Sequence, residues 1–148
     1  MVTDRIVKSV ELKAPIERVW RAISDHREFG SWFRVRLDAP LVAGTESTGQ
    51  MTYPGYEHVP WKARIVTMEP PRLLAYRWPH MDDQQRVRED WPWTLVEFRL
   101  EPVGTGTRLT VTESGFDALP AERRETAFRQ NEGGWEEQMG NVAAHVGG

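Results

Sequence analysis

Glu113 is the residue in this 148-residue chain best placed to act on another molecule. It follows Leu109 and Val111 at intervals of two, so an extended segment carries all three on one face. A carboxylate facing inward is costly unless it is paired or hydrogen-bonded. Burial raises a carboxyl pKa, which suits a pocket acid that holds a polar ligand group or moves a proton. The alternative is an exposed strand end where Glu113 meets water or an arginine. Tyr53 and Tyr76 are candidate donors to a ligand carbonyl, or else rings that bury themselves and find backbone partners.

Other chemistries find little support. His26, His58, His80 and His145 are scattered with no two at ligand spacing, so no metal site is expected. His80, Asp82 and Asp83 are close in sequence but fall in a polar stretch, where solvated charge is the expectation. There is no cysteine and no Gly-x-Ser-x-Gly elbow, so no nucleophile stands out. Gly104-Thr105-Gly106 reads as a hairpin turn rather than a phosphate cradle, and no cofactor is implied.

The elements that must position these residues follow from periodicity. Phe128, Trp135, Met139, Val142 and Val146 recur at helical spacing between Leu119 and Val146, opposite Glu122, Arg123, Glu125, Arg129, Glu132, Glu136 and Glu137. The spacing predicts one long amphipathic helix, which Gly140-Asn141 is expected to bend or end early. Arg5 to Lys13 alternates as a strand. Ile16, Val19, Trp20 and Ile23 follow Pro15 at helical spacing, and Ser24-Asp25 breaks that helix and caps a second short one. Strands are predicted over 34–40, 50–53, 61–68, 73–78, 93–101 and 108–114, with a polar turn over 44–49 and a mobile loop over 79–92.

Composition bounds the function. The net charge is −3 with both signs interspersed, so no basic stripe is available for nucleic acid. No run approaches the roughly 18 apolar residues of a membrane span, and Met1 to Val10 has neither a signal-peptide nor an anchor pattern. Length predicts a single domain over 1–148, and the lack of cysteine fits a cytoplasmic setting. A homodimer is left open. Seven tryptophans in a chain only 39% hydrophobic imply that large flat rings fill an aromatic core or line a cavity.

Five stretches in order carry a family likeness: Ala14-Pro15 with Val19-Trp20; Ser24-Asp25 with Trp32-Phe33; Glu69-Pro70-Pro71-Arg72-Leu73-Leu74 with Tyr76 and Trp78; Thr94 to Leu100 with Gly106 to Val111; and Gly134-Trp135. Together they resemble the SRPBCC superfamily, the helix-grip fold of START domains and polyketide cyclases. The nearest likeness is to the branch named after the activator of heat-shock protein 90 ATPase. Where many relatives carry a histidine at the end of the last strand, this chain has Glu113, and Gly44 stands where the branch commonly has a glycine pair.

The resemblance implies an α+β helix-grip fold: a curved antiparallel sheet of about six to seven strands, two short helices, and a long C-terminal helix packed across it. It also implies a cavity between sheet and helix. The sheet would line it with Met51, Tyr53, Trp61, Ile65, Tyr76, Trp78, Val96, Phe98, Val111 and Glu113, and the helix with Phe128, Asn131, Trp135, Gln138 and Met139. Trp32 and Phe33 would close one end. A filled core without a cavity is the alternative. The first expectation is binding of a small hydrophobic molecule such as a lipid, isoprenoid or aromatic polyketide, oriented by Tyr53, Tyr76 or Glu113. The second is a cyclase, dehydratase or hydrolase with Glu113 as acid or base. The third is a co-chaperone-like interaction module.

Overall fold

The computed structural model describes residues 4–147. In chain order the elements are β1 (Arg5–Leu12), α1 (Ile16–Ser24), α2 (His26–Phe33), β2 (Val35–Leu37), β3 (Glu46–Met51), β4 (Pro60–Glu69) and β5 (Leu73–Trp78). They continue with β6 (His80–Met81), β7 (Val87–Arg88), β8 (Thr94–Val103), β9 (Gly106–Ser114) and α3 (Ala121–Val146), the last preceded by a 3-10 turn at Phe116–Ala118. Seven strands form one antiparallel sheet in the order β1-β9-β8-β5-β4-β3-β2, and β6 pairs with β7 as a separate ribbon. This is the α+β helix-grip architecture, with the three helices against the sheet.

Local chemistry sets the element ends. Asp25 caps α2 by accepting from the backbone N–H groups of Arg27 (2.9 Å) and Glu28 (3.1 Å), as its position after α1 predicts. Gly104, at φ 59°, begins the two-residue turn between β8 and β9, a conformation an L side chain adopts poorly. Gly147, at φ 91°, ends α3.

Three expectations change. The predicted polar turn over 44–49 is largely strand: β3 starts at Glu46, and the strand expected over 50–53 stops at Met51. Glu46 to Gln50 pair with β4, and none of the five is apolar apart from Gly49, so no apolar alternation marks them. Gly49 is required there, because a Cβ would collide with the Arg36 carbonyl of β2. The loop over 79–92 contains the β6–β7 ribbon, turned by Asp82, whose Oδ1 accepts from the N–H groups of Gln84 (2.9 Å) and Arg86 (3.0 Å). Helix α3 runs through Gly140 to Val146. Met139 and Val142 are buried on either side of the glycine, and burying such side chains contributes about 1.5–3 kcal/mol each, more than the glycine costs.

The core lies between sheet and helices and is dominated by rings. Phe29, Trp32, Phe33, Trp61, Tyr76, Trp78, Phe98 and Trp135 form a continuous set of edge-to-face, tilted and stacked contacts with centroids 4.9–6.5 Å apart. No helix among the described residues is long and apolar enough to cross a membrane.

Candidate functional site

One row of the sheet runs Ile6, Glu113, Val96, Tyr76, Ile65 across five strands, and all five side chains are buried. Glu113 is the single charge in it, at 0% exposure. Trp78 ends β5 and pairs across the ladder with Thr94, which begins β8. His80 opens the ribbon two residues after Trp78. Asn131 and Trp135 stand one helical turn apart on α3, so both reach the same point.

These five residues converge on the one carboxylate. Oε2 accepts from Trp78 Nε1 (2.8 Å), Thr94 Oγ1 (2.5 Å) and His80 Nε2 (3.1 Å), while Oε1 accepts from Asn131 Nδ2 (2.8 Å) and Trp135 Nε1 (2.8 Å). His80 Nε2 also lies 2.8 Å from Thr94 Oγ1. A carboxylate only accepts, and the Thr94 hydrogen points to it, so His80 must carry a proton on Nε2 that both oxygens share. Burial pushes the Glu113 carboxyl up. The hydrogen bond and attraction from His80, with the bonds from Thr94 and Trp78, outweigh it and hold the group below its ordinary 4.5.

That arrangement corrects two expectations. Glu113 is fully buried with no arginine partner among the described residues, and its pKa falls where burial alone would raise it. His80 is buried at 7% exposure, with its ring edge-on to Phe116 at 5.6 Å, rather than a solvated loop charge.

Above this cluster lies an open cleft of about 730 Å³. Its floor is Phe33, Trp61, Trp78 and Trp135; its walls are the 51–62 segment, the β6–β7 ribbon, and the α3 face from Arg123 to Gln138. The 51–62 and ribbon walls are each tied to α3: Tyr53 Oη donates to Glu137 Oε1 (3.0 Å), and Arg123 Nε donates to the Met81 carbonyl (3.2 Å). Gln138 Nε2 donates to the Phe33 carbonyl (3.0 Å) and joins α3 to the end of α2.

Of the residues proposed to line a cavity, Phe33, Met51, Tyr53, Trp61, Trp78, Asn131, Trp135 and Gln138 border this cleft. Trp32, Ile65, Tyr76, Val96, Phe98, Val111, Glu113, Phe128 and Met139 are packed in the interior behind it. Tyr76 is enclosed by Trp61, Trp78 and Phe98, and its hydroxyl has no hydrogen-bond partner among the described residues. Burial, then the Glu113 charge, raises its pKa well above the ordinary 10. His80, Thr94, Gly133 and Gly134 were not singled out from sequence as parts of the site. Among the described residues no group of three or more His, Asp or Glu is placed to hold a metal ion.

Gly133 and Gly134 form part of the helix wall of the cleft. Neither has a positive φ, and a Cβ built on either meets nothing within 4 Å. Conformation and packing therefore require neither glycine, although each costs about 1 kcal/mol relative to alanine in a helix.

The model of the family Activator of Hsp90 ATPase homolog 1-like protein matches residues 13–147. The chain belongs to this family. Among solved structures, this Activator of Hsp90 ATPase homolog 1-like chain is similar to DynU16, a protein of the dynemicin biosynthetic locus, at 23% identity and TM-score 0.76. That likeness covers 98% of this chain and 48% of DynU16, so the chain spans about half of that protein's length. MLL2253 from Mesorhizobium loti is similar at 22% identity and TM-score 0.76, covering 96% of each chain. CalU16 from Micromonospora echinospora is similar at 22% identity and TM-score 0.68, covering 97% of this chain and 76% of that one. At these identities the likenesses show the fold. No curated protein matches in sequence.

Proposed function

We propose that the cleft between the sheet and α3 binds a small, flat, predominantly apolar organic molecule, and that the protein acts as a carrier, sensor or sequestering protein. The observation that carries this reading is the glycine pair. Gly133 and Gly134 weaken the helix, satisfy no turn or close contact, and leave a floor of aromatic rings open to a cleft of about 730 Å³. A cleft of that size takes a drug-sized ligand, and aromatic faces reward flat apolar surface at roughly 25 cal/mol per Å² buried. The likeness to a protein from a biosynthetic locus supports an organic small molecule as the partner.

Glu113 serves in this reading as a positioning residue, not as an acid or base. It is absent from the cleft lining, both of its oxygens are occupied by donors, and its depressed pKa makes it a weak base. Its action is indirect: four of its five donors, Trp78, His80, Asn131 and Trp135, line the cleft and are held in place by it.

Calorimetric titration with three-ring aromatic alcohols tests the proposal, with Gly134→Leu as the blocked control. Saturable binding to the natural chain, lost in Gly134→Leu, is the expected result. Equal binding by both would place the ligand elsewhere.

A further inference from the structure

The mouth of the cleft combines exposed aromatic faces with two carboxylates, Asp83 and Glu137, that have no cationic partner among the described residues. Tyr53 and Tyr56 stand edge to face at 5.8 Å on one wall, and Trp78 lies part-exposed on the floor. The Tyr53 ring already holds a cation, because the Arg34 guanidinium sits 5.6 Å from its centroid. Trp78 and Trp135 are stacked at 5.6 Å, and each donates its indole N–H to the buried Glu113 carboxylate. Donation to an anion raises the electron density of the rings above it, which strengthens their attraction for positive charge.

The fixed charges agree. Asp82, Asp83 and Glu137 line the cleft and Glu113 lies beneath it, so four carboxylates face two lining cations, Lys62 and Arg123. Among the described residues Glu137 accepts only from the neutral Tyr53 hydroxyl, and Asp83 has no hydrogen-bond or ion-pair partner. Lys62 is held by Glu89 at 2.9 Å and Glu46 at 3.6 Å, and Asp82 has Arg88 at 3.9 Å. Adding these outer partners, Arg34, and Arg86, whose charge also acts on Asp82, leaves an excess of one negative charge.

Resting on the small-molecule reading above, we propose that the cleft selects an organic cation: a flat apolar body bearing an amine or quaternary ammonium. The body lies on Trp78, and the positive group sits among Tyr53, Tyr56, Asp83 and Glu137. Fatty acids and other carboxylate-bearing lipids are disfavoured by the same field.

Three probes on one scaffold separate this proposal from the reading it rests on: 9-(aminomethyl)anthracene, 9-anthracenemethanol and anthracene-9-carboxylate, titrated calorimetrically into the full chain at low and high salt. The amine, protonated at neutral pH, is expected to bind roughly tenfold more tightly than the alcohol, the carboxylate to bind most weakly, and the gap to shrink with salt. In the double variant Asp83→Asn, Glu137→Gln the amine loses more affinity than the alcohol, so the gap narrows severalfold. Alcohol or carboxylate binding as tightly as the amine overturns the charge preference and leaves the small-molecule reading standing. Equal losses for all three probes in the double variant also overturn it. If none of the three binds, both readings fall together.

Discussion

Trp135 Nε1 lies 2.8 Å from Glu113 Oε1, so the closing helix is fastened to the last long strand by an indole–carboxylate hydrogen bond inside the core. The bond joins two elements that apolar packing alone would leave free to slide. The other indole donor, Trp78, reaches Oε2 from β5, and the two rings stack on each other as they converge. A buried charge that is fully hydrogen-bonded fixes register as well as contributing energy.

Glu113→Ala should therefore destabilise the fold by about 3–5 kcal/mol, since it leaves five buried or part-buried donors without their acceptor. Urea unfolding followed by tryptophan fluorescence measures this directly. A loss under about 1 kcal/mol, the range of an exposed ion pair, would mean that the anchor is unimportant.

Acid should act through the same residue. The folded pKa of Glu113 lies below its ordinary 4.5, as does that of the Glu28 carboxyl, where burial is outweighed by bonds from His145 and Arg18. A depressed carboxyl contributes stability that is complete above the unfolded pKa and is lost as pH falls through the folded one. The urea midpoint is expected to stay level from neutral pH to about 5 and to fall below that. Glu113→Gln should start lower and fall less steeply; an unchanged acid slope would remove Glu113 from the explanation.

Tyr76→Phe should stabilise the protein by on the order of 1 kcal/mol, because it deletes a buried hydroxyl that has no partner while keeping the ring contacts with Trp61, Trp78 and Phe98. Thermal unfolding checks the sign. A destabilised variant would show that the hydroxyl is satisfied in solution.

Much of this fold can be read in the chain. Strand β5 spans Leu73–Trp78 as its alternation predicts, and Val96, Phe98 and Leu100 are all buried on the expected face. Asp25 caps α2 as its residue type implies. The first part of strand β3 escapes notice because Glu46 and Thr48 face water and the one buried residue between them, Ser47, is polar and accepts from Trp61 Nε1 at 3.0 Å. Two members of the Glu113 cluster did leave a signal. Thr94 shares the parity of Val96 and Phe98, and His80 continues the parity of Trp78 past Pro79. The convergence itself leaves none, since its five donors come from four separate segments that meet only in the tertiary structure. Periodicity alone does not mark the cleft; the family likeness named eight of the residues that border it, and the two glycines in the middle of a helix are its further trace in the sequence.

Gly134→Leu should raise stability by about 0.5–1 kcal/mol through helix propensity and abolish ligand binding by filling the cleft. Paired thermal unfolding and titration of the same sample would show both effects. A stabilised variant that still binds would break the link between the glycine and the ligand.

The most direct test follows the seven tryptophan indole N–H signals by nitrogen-15 NMR while 9-anthracenemethanol is titrated into the protein. The signals of Trp61, Trp78 and Trp135, which floor the cleft, are predicted to shift together and saturate, while those of Trp20 and Trp91 stay fixed. Shifts confined to Trp20 or Trp91, or no shift at the three floor indoles, would contradict a ligand seated over the Glu113 cluster.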